Sequence, residues 1–189
     1  GAASGATGVD GTQNTFIGYY AGPITTEGYH NTFVGSHAGF SNIYGNSNTL
    51  IGYEAGRSCV GNYNTIVGRE AGYWNTGSDN SFFGKAAGFN STGTNNCYIG
   101  NHAGGQSLGA NANTCVGTAA GYNDQGGKNT YIGNRAGVHM VGGQFNVFIG
   151  LASQNSTIYT TLNNSIAIGC STVVTGSNQM ILGDNAVSV

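Results

Sequence analysis

Along residues 14–163 the chain repeats one short pattern of polar and apolar positions. An Asn is followed by a small residue, two adjacent apolar residues and a Gly; two variable positions, an Ala and a second Gly come next. Asn64-Thr65-Ile66-Val67-Gly68-Arg69-Glu70-Ala71-Gly72-Tyr73 is one copy, and others begin at Asn14, Asn31, Asn48, Asn80, Asn96, Asn113, Asn129 and, less regularly, Asn146. A spacing of 16 or 17 residues held over nine copies marks a solenoid in which each coil stacks on the next.

Thr, Phe, Ile, Val and Tyr in the first half of each copy are strand formers, and the Gly that follows permits a tight bend. Each copy therefore predicts one strand of about four or five residues. Apolar spacing of three and four over ten residues, the mark of a helix, is missing. Stacked copies give an all-β, parallel β-roll or β-solenoid with rungs ~4.8 Å apart. Phe33 and Val34, Leu50 and Ile51, Phe82 and Phe83, and Tyr98 and Ile99 are adjacent apolar pairs. Neighbouring strand residues point to opposite faces, so both faces of this sheet call for burial. One face can close the coil; the other needs a partner, expected here as a homotrimer of intertwined or side-by-side chains.

Ala recurs after the two variable positions, which predicts a tight buried spot. An aromatic often follows (Phe40, Tyr73, Phe89, Tyr122), and a Gly near the end of each copy (Gly28, Gly45, Gly61, Gly77, Gly93, Gly109, Gly126) marks the loop side. The leading Asn forms a column that extends to Asn164 and predicts hydrogen bonds passed from rung to rung.

Gly makes up 35 of the 189 residues, while charged residues are 6%. Uncharged polar groups suit a parallel stack, because like charges in neighbouring rungs repel. A net charge of -2 leaves no basic footprint for nucleic acid. No run reaches the ~20 apolar residues of a membrane-spanning helix, so no membrane insertion is expected. The chain starts without Met or a recognisable leader and reads as a piece of something longer. The cysteines at 59, 97, 115 and 170 lack metal-type spacing and are expected as free thiols. Residues 1–13 include three Gly-X-Y triplets, from Gly5 to Gln13, and read as a collagen-like lead-in or linker.

The period breaks in residues 164–189. NSIAIG at 164–169 and VVTGSNQMILG at 173–183 resemble the head repeats of trimeric autotransporter adhesins (the YadA-like head) and, equally, repeats of phage tail fibres. The longer NTFIGxxAG units of residues 14–163 resemble a long-coil relative found in such fibres. The resemblance covers residues 14 to about 185. It implies a β-roll of three chains around a threefold axis, and an extracellular fibre, on a virion or a cell surface, that serves as rigid spacer and attachment device. The longer coil and the bulkier residue where Ala167 sits in SIAIG are the departures from the adhesin pattern.

Catalytic chemistry has little to stand on. Glu54 and Glu70 share one slot and could pair as carboxylates of a polysaccharide-degrading spike, but each reads more simply as solvated. His30, His37, His102 and His139 are scattered, so neither metal nor other cofactor is expected. Sequons occur at Asn90, Asn155 and Asn163. Thr15, Thr32, Thr49, Thr65, Thr114 and Thr130 form a column of the kind found on ice-binding solenoids, although Ser81, Cys97 and Val147 in the same slot point to a cramped site. The expected function is a non-enzymatic fibre segment; a tail spike or an ice-binding solenoid are the alternatives. The candidate contact is the Tyr73-Trp74-Asn75 turn, which holds the chain's single Trp. Its aromatic pair beside hydrogen-bonding groups suits a cell-surface glycan or a protein receptor.

Overall fold

The computed structural model describes residues 12–155 and 161–183. The Gly-X-Y lead-in falls almost wholly outside these residues. The chain forms a parallel β-solenoid of about ten turns. Its strands are β1 (Thr15–Ile17), β2 (Thr32–Val34), β3 (Thr49–Ile51), β4 (Thr65–Val67), β5 (Ser81–Phe83), β6 (Cys97–Ile99) and β7 (Thr114–Val116). They continue as β8 (Thr130–Ile132), β9 (Val147–Ile149), β10 (Gln154–Asn155), β11 (Ile166–Ile168), β12 (Val173–Val174) and β13 (Met180–Leu182). Eleven of them form one sheet in the order β1-β2-β3-β4-β5-β6-β7-β8-β9-β11-β13. The sheet passes residue 164 without a break, and β10 pairs separately with β12.

Each principal strand has three residues, shorter than the sequence pattern predicts, because both ends are set by backbone geometry. The residue before the leading Asn is left-handed in coil after coil, as at Ser47 (φ 56°), Tyr63 (φ 58°) and Asp79 (φ 60°). At the other end Gly84 has φ 133°, and a Cβ there would lie 2.6 Å from the carbonyl oxygen of Gly100 in the next coil. Glycine is required at that corner because the coils stack closer than a side chain allows.

Register is uniform. Phe33 stands over Phe16 and Leu50, Phe82 over Ile66 and Tyr98, so each central side chain enters one interior column. Phe33, Leu50, Ile66, Phe82, Tyr98, Cys115, Tyr131 and Phe148 are fully buried there. Phe82 and Tyr98 stack with centroids 4.9 Å apart and planes 4° from parallel. The Ala column faces this stack and is buried throughout, as predicted. Truncating one such ring costs about 3–5 kcal/mol.

The Asn column binds the coils twice over. The side-chain oxygen of Asn64 accepts the backbone N–H of Asn80 at 3.1 Å, and that of Asn80 accepts the N–H of Asn96 at 2.9 Å. The side-chain amide closes the same coil: Asn80 Nδ2 donates to the carbonyl of Gly93 at 3.0 Å. The rung-to-rung ladder and the local turn, alternatives in sequence terms, are made by one side chain. Two positions shift from the sequence pattern. Ser165, not Asn164, takes the column after Asn146, its backbone N–H donating to the Asn146 side-chain oxygen at 3.0 Å, while Asn164 takes the left-handed position before it (φ 54°). In the coil from Asn96 the loop place belongs to Ala110, whose carbonyl accepts Asn96 Nδ2 at 2.7 Å, and Gly109 (φ 71°) is the extra residue of a longer loop.

Replacing Asn80 by Asp removes the donor and sets a buried charge against the Gly93 carbonyl. At neutral pH this substitution is expected to cost about 3–5 kcal/mol, measured as a lower midpoint in urea unfolding.

Candidate functional site

Three faces of the coil carry side chains that can act outward. The first is the sheet itself. Thr or an equivalent at the first strand position and an apolar residue at the third both point away from the interior, and the third column runs Ile17, Val34, Ile51, Val67, Phe83, Ile99, Val116, Ile132, Ile149, Ile168, Leu182. Phe83 is 40% exposed and Ile99 41%, so the ridge stays open on the single chain. Neither column contains a charged residue. The Thr column lies beside this ridge, half-exposed, and not in a cramped site: Ile166 and the exposed Met180 occupy the same slot.

The second face is a stack built on the residue after Ala-Gly. Tyr73 lies on Phe89 with centroids 5.1 Å apart, and the Arg57 guanidinium sits 5.0 Å from the Phe40 ring centre and 5.5 Å from that of Tyr73. Arg57 also donates to the Tyr73 hydroxyl at 2.7 Å and lies 3.6 Å from Glu54. A cation thus fills the one gap between Phe40 and Tyr73, which the aromatic pattern of the sequence did not reveal. Trp74 meets the edge of Tyr73 at 4.9 Å and is 48% exposed.

The structure separates the three residues of the candidate contact turn. Trp74 is outside, Tyr73 is half-buried in its stack, and Asn75 is fully buried. Asn75 donates to the carbonyl of Gly77 at 3.1 Å and accepts from Asn80 Nδ2 at 3.3 Å, so its hydrogen-bonding groups serve the coil.

The interior slot held by Asn75 is held in other coils by small or polar groups, among them Asn42, Cys59, Ser107 and Asp124, all buried. Burial pushes the Asp124 carboxyl up to about 6, against the pull of hydrogen bonds from the Gly126 N–H (2.9 Å) and Asn129 Nδ2 (3.0 Å) that favour its charged form. Burial likewise pushes the neighbouring Tyr131 hydroxyl and Cys115 thiol up, and the Cys59 thiol up to about 11. All four cysteines are free; Cys97 faces out and Cys115 in, as strand alternation predicts.

The third face comprises the two positions after the strand Gly. Arg69 and Lys85 are exposed there, and Glu70 is held by Arg69 at 2.9 Å. Glu54 and Glu70 therefore each face an arginine. Of the sequons, Asn90 donates to Gln106 Oε1 at 3.3 Å and Asn163 accepts the Gln144 N–H at 2.9 Å. Among the described residues no group of three or more His, Cys, Asp or Glu side chains could hold a metal ion, and no helix is long and apolar enough to cross a membrane. No protein-family model, curated protein or solved structure matches the chain.

Two predictions follow from this geometry. Trp74→Ala is expected to cost less than about 1 kcal/mol, whereas Tyr73→Ala, which opens the stack on Phe89 and Arg57, is expected to cost about 2 kcal/mol; paired thermal melts test the difference. For Asp124, the folded chain holds the proton more tightly than the unfolded chain, whose ordinary carboxyl titrates near roughly 4. Its contribution is therefore fully present below about pH 4 and is lost as pH rises through about 6. The change amounts to on the order of 2 kcal/mol. Asp124→Asn, which places the side chain of Asn75 in an equivalent slot, is expected to flatten that slope in urea midpoints measured between about pH 4 and 7.

Proposed function

We propose that this chain is a rigid, non-enzymatic segment of an extracellular trimeric fibre, of the kind found in tail fibres and surface adhesins, with receptor contacts on its flanks. The observation that carries this reading is the open apolar ridge, one residue per rung along the eleven-stranded sheet. Eleven rungs at ~4.8 Å extend it over roughly 50 Å. Soluble monomers rarely leave so continuous an apolar surface in water. Identical uncharged ridges can approach one another without like-charge repulsion, and the regular rungs let copies align side by side along a common axis. Three copies are favoured by the Gly-X-Y triplets ahead of the first coil and by the resemblance of residues 164–183 to trimeric heads. The exposed face of Trp74, with the edge of Tyr73, remains available on the flank for a glycan or protein receptor.

A second reading gains from one observation. The Thr column and the aliphatic column lie side by side on the same regular outward face, which is the arrangement an ice-binding surface needs. The two readings use one face and exclude each other, since copies that bury the ridge also cover the Thr column.

Light scattering on the native protein is expected to give three times the chain mass of 19.2 kDa. Phe83→Asp, which places a charge in the ridge, is expected to yield a monomer that keeps its β circular-dichroism signal. A native monomer overturns the fibre reading, and thermal hysteresis shown by that monomer supports the ice-binding one.

A further inference from the structure

In the column at the second position after the strand Gly, Ala119 stands between two long side chains. His102, Ala119 and Arg135 occupy it in consecutive coils, with the His102, Ala119 and Arg135 N–H groups donating to Lys85, Asn101 and Thr118 of the coil before. Ala119 therefore leaves a notch one coil wide between two long side chains, roughly 10 Å from wall to wall. The notch opens into a shallow groove of about 430 Å³. Ala86, in the same column, leaves no such opening: it is 1% exposed, whereas Ala119 is partly open.

The groove is lined by distinct chemistries. Tyr122 is half-buried at its side, edge-on to His102 with centroids 6.1 Å apart. Its ring packs against Gly105, where a Cβ would come within 2.6 Å of it. Val138 closes the apolar end. Thr118 and Asn134 add hydroxyl and amide groups to the lining. Arg135 is exposed and, among the described residues, makes no ion pair. A guanidinium fork recognises a carboxylate, an aromatic face recognises the C–H face of a pyranose ring, and the hydroxyl and amide groups pair with its hydroxyls.

We infer that this groove binds a carboxylate-bearing pyranose, a uronate or sialate unit of a surface glycan. Arg135 takes the carboxylate, Tyr122 the ring face, and Thr118 and Asn134 the hydroxyls, with Ala119 as the floor. The inference deepens the adhesive part of the proposed function. Because the groove lies off the apolar ridge and is read out by sugar binding, it stands or falls separately from the trimer.

The test is a titration followed by ¹H–¹⁵N spectra, using methyl β-D-glucuronide, the methyl glycoside of N-acetylneuraminic acid, neutral methyl β-D-glucoside and sodium acetate. One or both acidic glycosides are expected to shift the amides of Ala119, Tyr122 and Arg135 with a Kd on the order of 1 mM. The glucoside and acetate are expected to bind at least about tenfold more weakly. Arg135→Gln, at an exposed position, should erase the preference for the acidic sugar, and Ala119→Gln should fill the notch and abolish binding. The inference is overturned if no amide of the groove shifts, if the glucoside binds as well as the acidic glycosides, if acetate alone matches them, or if Arg135→Gln leaves the preference unchanged.

Discussion

One hydrogen-bonded side chain per coil sets the geometry of the whole rod. A three-residue strand contributes too few ladder bonds to fix a coil by itself. The leading Asn adds an acceptor aimed along the axis and a donor aimed across the coil, and it does both from a buried position, as at Asn48, Asn64 and Asn80. Asp has no donor, and Ser has one short arm for two tasks. Ser165 shows the consequence: its hydroxyl reaches the Gly176 carbonyl at 3.0 Å, and the strand that follows pairs with one only 14 residues further on. The column of amides stops where the long coil stops.

The backbone works against this order locally and is held by its neighbours. Each coil contains left-handed non-glycine residues, such as Asp79 before the strand and Glu70 or Ala119 after it. Each such residue costs roughly 1 kcal/mol. The strained turn aims an N–H at the coil before: Asp79 donates to Asn62 and Glu70 to Tyr53, at 2.9 and 2.8 Å. The strain is internal to one coil while the compensating bonds lie between coils. A single coil is therefore unstable and a stack is stable, which is the nearest-neighbour cooperativity of a repeat protein.

The sequence exposes whatever repeats in residue type and conceals whatever repeats only in conformation. The period, the parallel stack, the inward and outward strand columns and the buried Ala could all be read, because Phe33-Val34 or Phe82-Phe83 alternate in the same phase in every copy. The left-handed position could not, since Gln13, His30, Ser47, Tyr63, Ala112 and Phe145 share nothing but φ. This concealment misplaced the column at Asn164 by one residue. The orientations within the Tyr73-Trp74-Asn75 turn were hidden for a related reason. Outside the strand no simple period gives orientation, so Trp74 and Asn75, adjacent in sequence, lie on opposite sides of the coil wall. The groove at Ala119 also escaped notice, because it depends on the order of side chains across three coils and not on any local motif.

That division has a functional meaning. The leading Asn, the Ala and the corner Gly are nearly uniform because each is locked to the same atoms of the neighbouring coil. The positions after the strand Gly are set by backbone bonds that do not depend on the side chain, so Ala119 and Arg135 adopt the same φ within 3° while differing in side chain. The identity of such a residue can change without moving the rod. Any three consecutive coils then present a combination of walls and floor that is independent of the combinations above and below. On the proposed reading, such a rod would carry recognition in the sequence of its flanks and regularity in the column that those flanks leave untouched.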